Sequence, residues 1–393
     1  MKLKLSDPVI NVFSSVTAVF AGLLAGLIIM ITSNASQALA GFGVILTSGF
    51  SSMNNLGQVL YFATPVIMTG LSVGFSARTG LFNIGASGQF MVGAFAAVLV
   101  GVKCGFLPGH LHWITAILAA ILAGALWGAI PGIFKALFNV HEVISCIMTN
   151  YIGLYLVNFL VIKTVYDPLR NQSVPVLSSS ILPRLGMDKI FRDGFIVSSV
   201  NSGIIIAVCF AIIIFIILER TAFGYELKAC GFNREAARYA GINEKRSIIL
   251  SMVIAGALSG IGGALLLLGG SGRNIRVEDI LAMEGFNGIP VALLGLNNPI
   301  GIIFSGLLIA YLNVGGFNMQ LYNFVPQIIG IIIAVIIYFS AFALLVKDFI
   351  YSIIKRKKGF LPVESAGSNG SNASVGNETT EAIGNDTSKA GEL

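Results

Sequence analysis

Between Asp7 and Arg78 the chain runs from Pro8 to Ala77, 70 residues, with no ionisable side chain other than Tyr61. One crossing of the hydrocarbon core of a bilayer takes about 20 apolar residues in helical form, so this run alone holds at least two. The same texture recurs: Gly194 to Leu218 and Ser247 to Gly272 are stretches of 25 and 26 residues without a charge. Across the chain 55% of residues are hydrophobic and 11% charged, where a soluble domain carries about 25% charged residues. The fold class this predicts is all-α, a polytopic transmembrane helical bundle. A cleaved signal peptide is the alternative for Lys2, Lys4 and Val9 to Ile31, but that apolar core is longer than the roughly 7 to 15 residues of a signal-peptide core.

Windows of about 19 residues place spans near Val9–Ile31, Gly57–Phe75, Leu81–Val100, Trp113–Phe134, Val143–Ile162, Phe195–Leu218, Ser247–Leu268, Ile280–Leu296, Ile300–Gly316 and Val325–Val346. That is about ten, within a range of 8 to 12. Gln37–Phe50 is short and glycine-rich, and reads as an extra or re-entrant piece. A transmembrane domain over 1–358 then precedes a polar Ser/Gly/Asn/Thr/Glu tail over 359–393, expected to be disordered. With both termini cytoplasmic, 16 of the 24 Lys and Arg residues fall on inner segments, in the sense of the positive-inside rule. The net charge of +6 therefore reflects topology, and no nucleic-acid partner is needed to explain it. No pair of the four cysteines is placed to form a disulfide, and His110 and His112 read as solvated residues of a short outer loop rather than a metal site.

Glu219 to Arg246 breaks the apolar texture, with ten charged residues in 28. In this topology it is the largest structured cytoplasmic loop, between the sixth and seventh spans. Asn233 is a suitable N-cap and Gly241 a suitable stop for a short helix carrying the small residues Ala236, Ala237 and Ala240. Such a helix is either a docking element or a plain connector, and composition alone does not choose between them.

The motif chooses. Glu235, Ala236, Ala237 and Gly241 reproduce the E-A-A-x-x-x-G pattern of the coupling loop in permease subunits of bacterial ABC importers. The preceding TAFGYELKACGFN, with GLFNIGASGQFMVGA from Gly80, HEVISCIMTNYI from His141 and GFNGIPVALLGLNNPIG from Gly285, resembles the branched-chain amino acid, ribose and nucleoside permease superfamily, nucleoside-type branch. The resemblance covers Thr69 to about Gly316. It implies a location in the bacterial cell membrane, a second permease chain, two separate ATPase subunits and an external substrate-binding lipoprotein. It further implies that Glu235, Ala236, Ala237 and Gly241, with Phe223 and Gly224 opening the loop, contact the ATPase. The chain has no G-x-x-x-x-G-K-[ST] loop, so ATP and Mg belong to the partner; this chain is expected to bind no cofactor and to catalyse no reaction.

Two polar clusters are expected to line the substrate path where glycine interrupts a span: Asn83, Gly85, Ser87, Gly88 and Gln89, and then Glu284, Asn287 and Gly288. The repeated Phe-Asn pairs, Phe82-Asn83 and Phe286-Asn287, suggest two weakly related halves. The competing role for glycine is close helix packing, as in the pairs Gly22/Gly26, Gly124/Gly128 and Gly256/Gly260. A buried charge within a span costs at least about 2.5 to 3.5 kcal/mol, and no span carries one at its midplane, so a neutral polar solute is expected: a nucleoside, with a sugar or a branched-chain amino acid as alternatives. Ser87 stands where nucleoside-type permeases usually carry Glu, and Pro290 where they carry a small residue. A self-contained carrier or channel is the reading of another class, and it would call for intramembrane ionisable residues.

Overall fold

The structure, a computed structural model, describes residues 7–325, 327–336, 338 and 339, with side-chain environments from residue 16 onward. The expected end of the last span and the tail over 359–393 lie outside the described residues. The described chain is a helical bundle: α1 (Asp7–Ser33), α2 (Ala38–Thr47), α3 (Met53–Arg78), α4 (Ala86–Lys103), α5 (Gly109–Phe138), α6 (Glu142–Thr164), α7 (Met187–Ile190), α8 (Gly203–Arg220), α9 (Ala222–Phe232), α10 (Arg234–Tyr239), α11 (Glu244–Leu267), α12 (Met283–Phe286), α13 (Gly288–Leu294), α14 (Pro299–Asn318) and α15 (Gln327–Ile336). Two small antiparallel hairpins, β1 (Tyr166–Asp167) with β2 (Gln172–Ser173) and β3 (Arg192–Asp193) with β4 (Ile196–Val197), interrupt the helices between α6 and α8.

Among the described residues eight helices are long and apolar enough to cross a membrane, formed by α1, α3, α4, α5, α6, α8, α11 and the segment Pro299–Tyr322. Their outward faces carry exposed Leu122 and Leu126 on α5, Ile152 and Phe159 on α6, and Ile212 and Ile216 on α8. In a soluble protein those positions would be polar; in lipid they are the favourable choice. The Ala38–Phe50 helix is apolar and too short to span, in keeping with the extra piece expected there.

Ile280–Leu296 is not one continuous helix. It enters as extended chain, forms four residues of α12, breaks at Asn287 and resumes as seven residues of α13. Gly285, Gly288 and Pro290 weaken the helix, and neighbouring side chains hold the unpaired backbone, as described below. The span expected from Phe195 likewise starts only at Gly203, because Phe195 to Val197 belongs to the second hairpin.

Helices α3 and α11 form the centre. Helix α3 packs on α8, α11, α13 and α14, whereas α4 and α5 pack on each other and on α11. The α5–α11 seam is a glycine contact. A Cβ on Gly256 would lie 2.2 Å from the Gly124 carbonyl oxygen, and one on Gly260 would lie 2.4 Å from that of Ala120. Close approach of this kind supplies the dispersion contact that must hold helices together where lipid is as apolar as the side chains. Thermal unfolding in detergent tests it: Gly256→Ala should lower stability by about 1–3 kcal/mol through overpacking against immovable backbone, whereas Gly43→Ala, with nothing within 4 Å of its added methyl, should be close to neutral.

Candidate functional site

The two polar clusters expected along the path meet. Helix α4 begins with Gly85 as its N-cap residue, and glycine has no side chain to satisfy the first free N–H groups of the helix. Asn150 of α6 does so instead: its Oδ1 accepts from the Gly88 N–H at 2.8 Å, and its Nδ2 donates to the Ile84 carbonyl at 3.0 Å. Beside it Asn83 donates to Ser72 Oγ at 3.0 Å and to Gln89 Oε1 at 2.8 Å, while Gln89 donates back to Asn83 Oδ1 at 3.1 Å. Asn83, Ser87, Gln89 and Asn150 are all buried, and a buried polar group left unpaired there would cost about 1–3 kcal/mol.

The broken span closes on this network. Ser87 donates to the Ala282 carbonyl at 2.8 Å, Thr69 Oγ1 lies 3.0 Å from the Glu284 carbonyl, and Asn158 donates to the Glu278 carbonyl at 3.0 Å. The approach is backbone to backbone: a Cβ on Gly285 would sit 2.3 Å from Ser87 Cα, and one on Gly288 would sit 2.5 Å from the Thr69 carbonyl carbon. Three neighbouring helices therefore supply the hydrogen bonds that the interrupted helix cannot make for itself.

Above this junction, at the end of the bundle where α11 finishes, lies a cavity of about 570 Å³. Phe90 and Met91 of α4, Val157 of α6 and Leu266 of α11 form its apolar wall, and Arg273 and Glu284 are among the charged groups that line it. Of the eight residues expected on the path, Glu284 alone is part of this lining; Asn83, Gly85, Ser87, Gly88, Gln89 and Gly288 are buried in the junction beneath, and Asn287, half-buried, sits at the break between α12 and α13. Sequence windows missed Asn150, Asn158, Thr69 and Arg273. The first two were hidden within an apolar helix, where only spacing on one face could have flagged them. A second recess, about 920 Å³, opens between α1, α8 and α14 and is lined chiefly by apolar groups such as Val16, Phe215 and Phe304.

The opposite end of the bundle carries the charged segment. Asn233 caps α10, accepting from the Ala236 N–H at 3.1 Å, and Gly241 ends it with φ +83°, with the Ile242 N–H bonded to the Ala237 carbonyl at 3.0 Å. Glu235, Ala236 and Gly241 are exposed and Ala237 is buried beneath them. Phe232 and Tyr239, both more than 90% exposed, flank the small residues with two large aromatic faces. Phe223 and Gly224 lie elsewhere, at the elbow where α9 folds back on α8: a Cβ on Gly224 would lie 2.0 Å from the Ile217 carbonyl oxygen. Lys228 and Glu219 brace that elbow at 3.0 Å. Helix α9 in turn touches the turn after α3, where Gly231 meets the backbone of Gly80.

His112 corrects a sequence expectation. It is fully buried at the start of α5, with Nδ1 2.8 Å from Ser179 Oγ and Nε2 3.0 Å from the Val100 carbonyl, and so ties α4 to the connection after α6. His110 is exposed. Lys135 and Glu142 form an ion pair at 2.9 Å across the α5–α6 turn, and Arg78 Nε donates to the Asn297 carbonyl at 3.0 Å.

A bundle of membrane-length helices with a discontinuous span held in a buried polar junction is the architecture of a membrane transport protein. Residues 55–341 match the family described as branched-chain amino acid transport system, permease component, and the chain belongs to that family. It is thus a multi-pass plasma-membrane protein, the permease of an ABC importer and not an enzyme. Similar proteins include the guanosine ABC transporter permease protein NupP of Bacillus subtilis, 38% identical over 86% of this chain and 95% of that protein. The nucleoside ABC transporter permease protein NupB of Lactococcus lactis is 34% identical over 82% and 89%. The glucose ABC transporter permease protein TsgB13 of Haloferax volcanii is 30% identical over 82% and 85%. No solved structure matches the chain significantly.

The trans cap on α4 gives a direct test. Asn150→Ala leaves the Gly88 N–H and the Ile84 carbonyl without partners in a dry site, and should lower thermal stability in detergent by about 1–3 kcal/mol.

Proposed function

We propose that this chain forms the translocation pathway of an ATP-driven importer for a nucleoside and couples to a separate ATPase through residues 219–246. The observation that carries the solute is the 38% identity, over 86% of the chain, with a permease named for guanosine. Cavity size agrees: about 570 Å³ is within the range of roughly 300 to 1,000 Å³ typical of small-molecule sites. The relative named for glucose, at 30% identity, keeps a sugar as the second reading.

The coupling role rests on α10. Its exposed Glu235 and Ala236, the tight stop at Gly241 and the flanking Phe232 and Tyr239 make a short, small-residue ridge between aromatic shoulders, a shape that suits a groove in another protein. Phe223 and Gly224 contribute by fixing the elbow that aims the ridge. The expected assembly is this permease, a second permease of the same or a related chain, ATPase subunits that bind ATP and Mg, and an external binding lipoprotein that delivers solute.

Cells lacking this chain should lose saturable uptake of labelled guanosine, and the wild-type gene should restore it. Ala236→Arg, a change at an exposed position that leaves the fold intact, should abolish both that uptake and co-purification of the ATPase in mild detergent. Retention of the ATPase by the variant would rule out α10 as the contact. Guanosine uptake unaffected by loss of the chain, with glucose uptake lost, would shift the solute to the sugar reading.

A further inference from the structure

We propose that Arg273 and Glu284 are the solute-recognising pair of the cavity, closing on each other when it is empty and exchanging that bond for the edge of a nucleobase when it is filled. This deepens the nucleoside reading and rests on it. Arg273 Nη1 and Glu284 Oε1 lie 3.1 Å apart, and both residues line the 570 Å³ cavity. They come from different elements. Glu284 belongs to α12, whose backbone is held by Thr69 of α3; Arg273 follows the end of α11, with its guanidinium 5.2 Å from the centroid of the Phe62 ring. The Tyr61 hydroxyl is 2.6 Å from Ser271 Oγ and anchors the loop just before Arg273.

The pair suits exchange for three reasons. Its side chains retain 38% and 29% exposure, so the bond is partly wet and weakly held. Phe90, Met91 and Leu266 supply an apolar wall beside it, which is where a planar base loses its water most readily. A guanidinium only donates and a carboxylate only accepts, so a base edge that offers both acceptors and donors can replace the mutual bond without stranding either charge. Guanine is the best complement: two adjacent N–H donors face one carboxylate while the carbonyl oxygen faces the guanidinium. Uracil offers a single N–H between two carbonyls. The geometry therefore ranks guanosine above uridine.

The test measures maximal uptake of labelled guanosine and labelled uridine at saturating solute, with rates normalised to permease recovered from the membrane. Each variant replaces this chain in cells whose other transporter subunits are native; maximal rates are used because the delivering protein dominates half-saturation. Glu284→Gln should lower the guanosine rate about tenfold and the uridine rate by less than about threefold. Arg273→Glu combined with Glu284→Arg restores an ion pair with donor and acceptor transposed, and should leave the guanosine preference lost. Equal losses for both solutes in Glu284→Gln, or a normal preference in the charge-swapped chain, would overturn the proposal by reducing the pair to a structural clasp. Wild-type cells that take up neither nucleoside would overturn the nucleoside reading itself, and the recognising pair with it.

Discussion

A break in a helix at membrane depth leaves backbone N–H and C=O groups with no water to satisfy them, and the structure is organised around meeting that demand. The chain between Glu278 and Asn287 is fastened by Asn158, Ser87 and Thr69, side chains from three different helices, and the uncapped start of α4 is closed by Asn150, two turns before Asn158 on α6. These hydrogen bonds dictate which helices must be neighbours. They also explain why polar residues sit inside spans that are otherwise apolar. In such a site each polar side chain has a fixed partner, so the junction can change shape only by exchanging whole sets of bonds, not by gradual loosening.

The same junction is physically continuous with the charged end of the bundle. Gly231 of α9 rests on Gly80, and Asn83 with its network begins only three residues later. Lys228 and Glu219 stiffen the elbow between α8 and α9. A displacement of α9 would therefore reach the start of α4 through one turn of backbone and no flexible linker. For the proposed coupling this is one mechanical route between the exposed ridge of α10 and the base of the cavity, beside α11 itself, which runs from Glu244 next to α10 to Leu266 in the cavity wall.

Much of this was legible in the sequence, for identifiable reasons. Charge-free runs marked α1, α3, α8 and α11, since nothing but lipid or a fully buried core tolerates them. Asn233 and Gly241 marked α10 because capping and the positive φ at Gly241 are local requirements that one or two residue types meet. The clusters at Asn83 and Glu284 were visible as polar groups among glycines. Their meeting was not, because contact between residues about 200 positions apart depends on packing that no local pattern encodes. His112 looked like a loop residue for the same reason: its partners, Ser179 and Val100, belong to other elements. Arg273 and Glu284 stand eleven residues apart with no helix joining them, and only the fold brings them together at 3.1 Å on the cavity wall.

The packing order of the helices bears on how the protein is made. Helices α4 and α5 pack on α11 as well as on each other, and α3 packs on α8, α11, α13 and α14; α8, α11, α13 and α14 all emerge later from the ribosome. The first half of the chain must therefore wait in the bilayer with its glycine faces and polar junction incomplete, as happens whenever native contacts are distant in sequence. During that interval the chain is a substrate for membrane quality control. Its exposure to degradation is set by the time taken to synthesise the roughly 130 residues between the end of α5 and the end of α11, and hence by translation speed as much as by final stability.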